Sequence, residues 1–426
     1  MTSKFTSTPI KKIGRVVTGK TPSTAVAENF NGDYMFVTPS ELHTDFIIET
    51  SEKTLTRKGL DSIRTNTVKG LSVAVGCIGW DMGNVALINE ECATNQQINS
   101  LTDFNTNKYN PYYVYYWLLT KKSYLFQIAT VTRTPILNKS TFEDILIPLP
   151  LKSVQDKVAS VLLPISRKIA LNNAINAELE NMARLLYCYW FVQFDFPDEN
   201  GKPYKSSGGA MVWNEQLKRE IPEGWEISSI NDMTTACRGV SYDKGDILSD
   251  SENGVLVLRG NNIQENRLIY DNNTVYVPKE LVSDEQLIRK HDIILTMSSG
   301  SKEHIGKCAM FHYDSPHTFG AFLSKFTPQK DKRFFVFQSM ISDFCFLKIK
   351  AICNGTGINN LTSQTFNEIL FAVPDSNTLR NYEKRVRAIY SKVGANELEN
   401  TELTELRDFL LPLLMNGQVT VKTEKT

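Results

Sequence analysis

The chain has 426 residues, with 47 Lys and Arg against 47 Asp and Glu, so its formal net charge is zero. That length fits two to four domains, and a composition of 41% hydrophobic and 22% charged residues belongs to an ordinary folded protein with a sizeable core. Zero charge excludes whole-molecule attraction to a polyanion, so any nucleic acid must be held by local patches or with the help of a second subunit. Seven cysteines without a CxxC pair, no apolar run long enough for a bilayer and no apolar signal core after Met1 predict a cytoplasmic protein.

Residues 1 to 150 read as a mixed domain of short strands and turns, with strands expected at 34–38, 71–75 and 85–88 and a buried helix at 111–120. Gly14 to Thr21 satisfies the phosphate-cradling pattern GxxxxGK[ST], which makes an ATPase a reading to weigh. The pattern needs a buried strand before it and a helix opening at its end. Here Pro22 follows at once, and a loop at the rim of a β-rich domain is the better expectation. Asn110-Pro-Tyr-Tyr113 is close to the Asn-Pro-Pro-Tyr motif of amino methyltransferases, but no glycine-rich cofactor loop accompanies it, and a helix start with Pro in its first turn explains it.

From 153 to 191 the periodicity changes. Val158, Leu162, Ile165 and Ile169, then Leu179, Ala183 and Leu186, fall on alternating steps of four and three, the seam of a helix that packs along another. Asn172 and Asn176 occupy two seam positions, where amides cost stability but can fix register. Pro164 is expected to kink or interrupt the helix, which then continues from 165 to 193 for about 43 Å. A shift of 224 residues carries this seam onto Tyr382, Val386, Ile389, Val393, Asn396, Asn400, Leu403, Arg407 and Leu410, asparagine falling on asparagine. Thr141, Phe142, Ile145, Leu146 and Pro150 likewise map onto Thr365, Phe366, Ile369, Leu370 and Pro374. The chain is an internal duplication.

Between the copies, residues 196–224 are rich in Gly, Pro and Ser and read as a connector. In the second copy strands are expected at 255–259, 293–297 and 307–311, a helix at 334–342, and a long helix at 377–415 closed by Asn416-Gly417. His304, Cys308, His312 and His317 crowd one stretch, but their spacing matches no standard zinc pattern, and no metal is expected. No carboxylate pair, nucleophile elbow or Cys and His dyad stands out for catalysis.

What does recur at equivalent places is a set of polar loop residues. They are Lys20, Thr21, Ser40, Trp80, Gln96, Gln97 and Arg133 in the first copy, and Arg238, Tyr242, Arg259, Asn261, Asn262, Ser298, Ser299, Lys302 and Asn359 in the second. Arg reads guanine and Asn or Gln reads adenine through paired hydrogen bonds, while Lys and hydroxyls hold phosphates. These are the candidate DNA contacts.

Several segments carry a family likeness. Tyr189-Trp-Phe-Val-Gln-Phe-Asp-Phe-Pro197, Gly201-Lys-Pro-Tyr-Lys-Ser-Ser-Gly-Gly209, Glu220-Ile-Pro-Glu-Gly-Trp225, Leu413-Leu-Met-Asn-Gly-Gln-Val419 and Gly19-Lys-Thr-Pro-Ser23 resemble the specificity subunit of Type I restriction-modification systems. The resemblance implies an α+β fold in which two similar mixed α/β target recognition domains are separated by an antiparallel pair of long helices. The segments would be a first recognition domain (1–150), first spacer helix (151–195), connector (196–224), second recognition domain (225–375), second spacer helix (376–416) and a tail (417–426). It further implies a non-catalytic chain that binds double-stranded DNA with a bipartite target and docks two modification subunits. Those partners would bring S-adenosylmethionine for adenine methylation, and restriction and translocation subunits would bring ATP and magnesium chemistry. This chain itself is expected to bind no cofactor. A spacer of about 43 Å exceeds the 34 to 36 Å or so of one DNA turn, so the target should contain an unread gap. The rival from another class is a coiled-coil scaffold whose repeated domains bind protein.

Overall fold

The structure is a computed structural model, and it describes residues 5–43, 46–130, 134–249, 254–264, 266–269, 274–300, 304–353 and 359–421. The chain forms two compact units, one of residues 1–173 with 398–426, the other of residues 174–397. Each of the two long helices gives one half to each unit.

In the first unit a five-stranded sheet has the order Arg15–Thr18, Ile98–Thr102, Ser72–Gly76, Val85–Ile88, Ile47–Ile48. A second sheet sets Phe30–Val37 between Lys53–Leu55 and Cys92–Thr94, with Thr67–Val68 beyond. Ser72–Gly76, Val85–Ile88 and Ile98–Thr102 are buried at every position, which is why they lack the alternation of a half-exposed strand. The helix Pro111–Leu119 packs on this sheet with Tyr113 and Tyr116 wholly buried. Its Asn110 side chain accepts from the backbone N–H groups of Tyr112 (2.9 Å) and Tyr113 (3.3 Å). Asn110-Pro-Tyr-Tyr113 is therefore a capped helix start.

The second unit repeats the plan. Its main sheet runs Thr234–Arg238, Leu323–Pro328, Ile293–Thr296, Cys308–Met310, beside a three-stranded sheet centred on Gly254–Leu258. Thr6–Pro9 pairs with Leu146–Leu149 in the first unit, and Glu226–Ser229 pairs with Leu370–Val373 in the second. The buried helix here is Arg333–Met340. Residues 196–224, expected as a connector, carry the hairpin Met211–Asn214 with Arg219–Pro222. Phe194, Phe196, Ile221 and Trp225 join the second unit's core.

The first long helix spans Lys152–Tyr187 without a break and ends in a π-helical turn, Cys188–Val192. Of the kink or interruption expected at Pro164, the interruption does not occur. Pro164 and Ser160, one turn back, are both exposed, so the carbonyl that loses its N–H partner is left to water rather than stranded. The second long helix spans Ser376–Met415. Gly417 at φ +69° and the bond from Gln418 N–H to Leu413 O (2.9 Å) close it, as a helix C-terminus requires.

Each buried helix makes a corresponding side-chain bond to a long helix in an apolar setting. In the first unit it is Tyr116 Oη with Ser166 Oγ at 2.7 Å. In the second, Gln338 Nε2 donates to Tyr390 Oη at 2.6 Å. Ser166 and Tyr390 are 224 residues apart, so the ring has changed sides of the contact while the bond has stayed.

Within each unit the two long helices pack antiparallel. Val158 and Leu162 share a core with Leu411, Leu414 and Met415 in the first unit, where Asn172 Nδ2 donates to Asn400 Oδ1 (2.9 Å) and Glu399 Oε2 (2.9 Å). In the second unit Phe191 packs on Tyr382 at 4.7 Å between ring centres. There Asn396 Nδ2 donates to Asn176 Oδ1 at 2.7 Å. The 224-residue shift carries the first asparagine pair onto the second. Among the remaining seam positions Ala183, Val386 and Val393 are buried, and Ile165, Ile169, Leu179, Leu186, Ile389, Leu403, Arg407 and Leu410 are half-buried. No helix among the described residues is long and apolar enough to cross a membrane.

Two predictions follow from these helices. Asn396→Ala strands the buried Asn176 Oδ1 and should cost about 1–3 kcal/mol, whereas Asn176→Leu combined with Asn396→Leu removes both amides and should be near neutral or stabilising. Urea unfolding tests this, and equal losses in the single and double variants would show that the pair does not act as a unit. Glu383, on the second helix, accepts at Oε1 from the backbone N–H groups of Phe334 and Phe335 (both 2.9 Å), while its buried Oε2 has no hydrogen-bond partner among the described residues. Burial raises its pKa to about 7, against the opposing pull of those two N–H groups. The folded state thus holds the proton more tightly than the unfolded chain, and stability present below the ordinary carboxyl value of 4.5 is lost as pH rises to about 7. Glu383→Gln keeps an acceptor oxygen without the charge. Its stability between pH 5 and 8 should fall less than the parent's, by on the order of 3 kcal/mol; parallel pH curves would refute the assignment.

Candidate nucleic-acid interface

In the first unit three loops leave the same edge of the main sheet. Asn99 pairs with Thr18, Ile98 with Gly76 and Val75 with Val85, so the loop after Thr18, the loop from Gly76 to Val85 and the loop before Ile98 meet there. The loop after Val37 joins them, because Asn95 N–H donates to Val37 O (2.9 Å). Further backbone bonds hold the group: Gly19 N–H to Ile98 O (3.0 Å), Ile98 N–H to Asn95 O (3.2 Å), Cys77 N–H to Gln97 O (2.7 Å), Leu137 N–H to Cys77 O (2.8 Å) and Gly83 N–H to Gly76 O (2.9 Å).

The second unit makes the same six bonds. They run from Gly320 to Leu258 (2.9 Å), Gly239 to Leu323 (3.3 Å), Leu323 to Gly320 (2.8 Å), Met297 to Phe322 (2.9 Å), Leu361 to Met297 (2.7 Å) and Gly306 to Thr296 (2.9 Å), each from N–H to O. A Cβ on Gly19 would lie 2.0 Å from Asn95 O, and one on Gly239 would lie 2.2 Å from Gly320 O. Both positions need glycine because two backbones nearly touch. A seventh correspondence uses side chains. Thr38 N–H donates to Glu41 Oε2 (2.8 Å) and Arg259 N–H to Asn262 Oδ1 (2.9 Å). Burial pushes the Glu41 carboxyl up, but hydrogen bonds from the Thr38 hydroxyl and from backbone N–H groups outweigh it and hold it below the usual range.

On this frame equivalent positions differ in chemistry. Thr18 stands where Arg238 does, Lys20 where Val240 does, Thr38 where Arg259 does, Ser40 where Asn261 does, and Gln97 where Phe322 does. The loop candidates fall on the two edges. Lys20, Ser40, Gln96, Arg238 and Asn261 are exposed; Thr21, Gln97, Tyr242, Arg259, Ser298 and Ser299 are half-buried. Thr21 Oγ1 donates to Gln96 Oε1 (2.9 Å), and Asn95 Nδ2 donates to Gln97 Oε1 (3.1 Å). Asn262 is the exception. It is buried, and Nδ2 donates to Ile269 O (2.9 Å) while Oδ1 holds the Arg259 turn, so it shapes the loop instead of facing a ligand. Arg133 and Lys302 lie outside the described residues, and of Trp80 and Asn359 only the backbone is described. Sequence reasoning passed over Phe322, which the structure puts at the centre of the second edge.

The phosphate-loop alternative does not fit the structure, and the rim loop preferred over it does. Arg15–Thr18 is a strand, Gly19 is pressed against Asn95 O, and the turn that follows, Ala27–Asn29, is a single 3-10 turn. No helix opens at Lys20 to point its N–H groups at a phosphate. Of the His and Cys cluster, Cys308 and His312 are buried, with the His312 ring stacked on Tyr390 at 4.9 Å. Among the described residues no three His, Cys, Asp or Glu side chains gather as a metal site would require.

Two like frames, two unlike sets of side chains and paired helices describe a recognition chain. The family model for the Type I restriction modification DNA specificity domain matches residues 2–181 and, again, 222–408. The chain belongs to the Type I restriction-modification DNA specificity family. It is similar to the Type I restriction enzyme MjaIX specificity subunit of Methanocaldococcus jannaschii, 25% identical over 421 residues that cover 97% of this chain and 93% of the relative. It is also similar to the EcoKI specificity subunit of Escherichia coli, 30% identical over 214 residues, 48% of this chain and 45% of that one. The crystal structure of a Type I restriction-modification S subunit from M. genitalium shares the fold, with a TM-score of 0.55 at 16% identity over 99% of this chain and 100% of its own. As a Type I specificity subunit the chain recognises DNA sequence through its two domains and is not the catalytic component of its system.

Proposed function

We propose that the sheet edge of each unit reads one part of a two-part duplex sequence, and that the long helices carry two copies of a modification subunit. The observation that carries this reading is the pair of edges, identical in six backbone bonds and different in the side chains they present. A fixed frame with variable side chains is what base readout needs, since base edges are told apart by donor and acceptor pattern alone. Lys20 and Arg238 would contact phosphates or guanines, and Gln96 and Asn261 would contact base edges. The modification subunits would hold S-adenosylmethionine and methylate adenine, and ATP-driven translocation and cleavage would belong to further subunits. Adenine methylation mapped in DNA from cells carrying this chain with its partners should show two short motifs around a constant gap. Single, contiguous motifs would overturn the reading.

The helices supply the support for two partners. Met182, Leu185 and Tyr189 form an exposed apolar stripe at steps of three and four, with Met182 and Leu185 each 55% exposed. The 224-residue shift carries the stripe onto Leu406, Phe409 and Leu413, of which Phe409 is 67% exposed. Contiguous exposed apolar residues on a folded chain mark partner contacts, and a duplicated stripe fits two copies of one partner. Leu185→Asp should therefore reduce the assembly from two modification subunits to one, as should Phe409→Asp, and the double variant should bind none. Native mass spectrometry gives the count; retention of both subunits by the double variant would reject these stripes as the docking faces.

A further inference from the structure

Phe322 is 70% exposed and belongs to none of the apolar clusters. One exposed aromatic ring is ordinary, but its backbone is held unusually firmly. Phe322 O accepts from Met297 N–H (2.9 Å) and Ser298 N–H (3.2 Å), and the tight turn that contains Phe322 is closed by Leu323 N–H to Gly320 O (2.8 Å). Its surroundings are polar. On one side, Arg238 pairs with Ser324, two residues on; on the other, Ser298 and Ser299 pair with Asn360 and Asn359. The Tyr242 ring lies by the same turn, 3.8 Å from where a Cβ on Gly320 would stand. At the equivalent place in the first unit Gln97 is held by Cys77 N–H, and its amide is engaged by Asn95.

We propose that Phe322 is an apolar wedge of the second unit, which enters one base step of its half-site and partly unstacks it. This rests on the DNA-reading role of the sheet edges. A phenyl ring on a pinned turn loses little freedom on binding and gains by leaving water. Apolar side chains at such positions kink duplexes by separating neighbouring bases, with flanking cationic and hydroxyl groups to hold the phosphates; Arg238 and the Ser298–Ser299 ribbon supply those groups. Duplex DNA, rather than protein, is the occupant these neighbours suit. Because Gln97 occupies the first unit's equivalent position, the wedge acts in one half-site only.

The test uses the chain assembled with its modification subunits on a duplex bearing the target mapped by methylation. 2-Aminopurine replaces each adenine in turn, and its fluorescence rises where stacking is lost. The parent complex should brighten the probe at one step of a single half-site. Phe322→Ala should abolish that signal and raise the Kd about tenfold or more, in line with the loss of one aromatic contact to a base. Phe322→Trp should retain both, and the melting temperature of Phe322→Ala should match the parent's because the ring is exposed. Unchanged affinity and fluorescence in Phe322→Ala would overturn the proposal. So would an affinity loss without brightening that deoxyuridine in place of one thymine reproduces in the parent, since the ring would then touch a methyl group. Loss of a modification subunit by Phe322→Ala with DNA affinity kept would make the ring a protein contact instead. A parent complex that shows no sequence preference would remove the DNA-reading role as well, which separates that failure from failure of the wedge alone.

Discussion

The six backbone hydrogen bonds at each sheet edge are the constraint on which the rest of the molecule depends. A bond from one main-chain N–H to another residue's carbonyl is indifferent to the side chains at either end, provided they do not clash. Gly19, Gly76 and Gly239 have no freedom, because a Cβ on any of them would lie between 2.0 and 2.4 Å from a facing carbonyl, and Gly83 and Gly306 stand at positive φ. Edge positions not bound in this way can change residue type without moving the loop that carries them. Thr18 and Arg238, or Gln97 and Phe322, therefore occupy the same place in two copies of one frame. Divergence of what is recognised and preservation of fold are compatible for this reason.

A second economy operates where each recognition core meets a long helix. Tyr116 with Ser166 and Gln338 with Tyr390 are the same contact written with the large residue on opposite sides. Each satisfies a buried hydroxyl that would otherwise cost about 1–3 kcal/mol, and each needs one bulky and one smaller partner to fill the same space. The asparagine pairs work differently. Leucine would pack more favourably in the seam, but it would tolerate a slip of one turn, whereas the bond from Asn396 Nδ2 to Asn176 Oδ1 forms only where the two face each other. A helix pair that must place recognition domains reproducibly has reason to accept that cost.

The helices and the duplication were legible in the sequence because their signals are periodic. Seam residues recur every three or four positions, and the second copy repeats them at a constant shift, asparagines included. Pro164 does not interrupt the helix, because its turn faces solvent and the carbonyl that loses an N–H partner can turn to water. The strands expected at 85–88, 71–75 and 293–297 lie within one residue of Val85–Ile88, Ser72–Gly76 and Ile293–Thr296, while Ile98–Thr102, fully buried and rich in polar residues, was not legible. Of the edge residues, Lys20, Gln96 and Arg238 could be nominated from their polar loop settings. Asn262 looked the same from sequence but is consumed by its own turn. Phe322 was invisible for the opposite reason: in Phe-Gly-Ala-Phe-Leu-Ser-Lys-Phe, residues 319–326, an aromatic next to a strand reads as core. Only the bonds to Met297 and Ser298, which turn that backbone outward, distinguish it from Phe319 and Phe326, both buried.

Zero net charge is consistent with a chain that recognises DNA only if affinity and discrimination are divided between components. Non-specific binding comes from neutralised phosphates and released counterions, and it scales with the number of cations brought to the backbone. A chain with 47 basic and 47 acidic residues supplies few in excess. Discrimination comes instead from a small number of well-placed contacts to base edges, each worth about 1–3 kcal/mol, and these need rigidity more than charge. The edges provide rigidity through the backbone alone. On the proposed assembly the phosphate attraction would fall largely to the partner subunits, so sequence selectivity would be a property of this chain while salt dependence would be a property of the assembly.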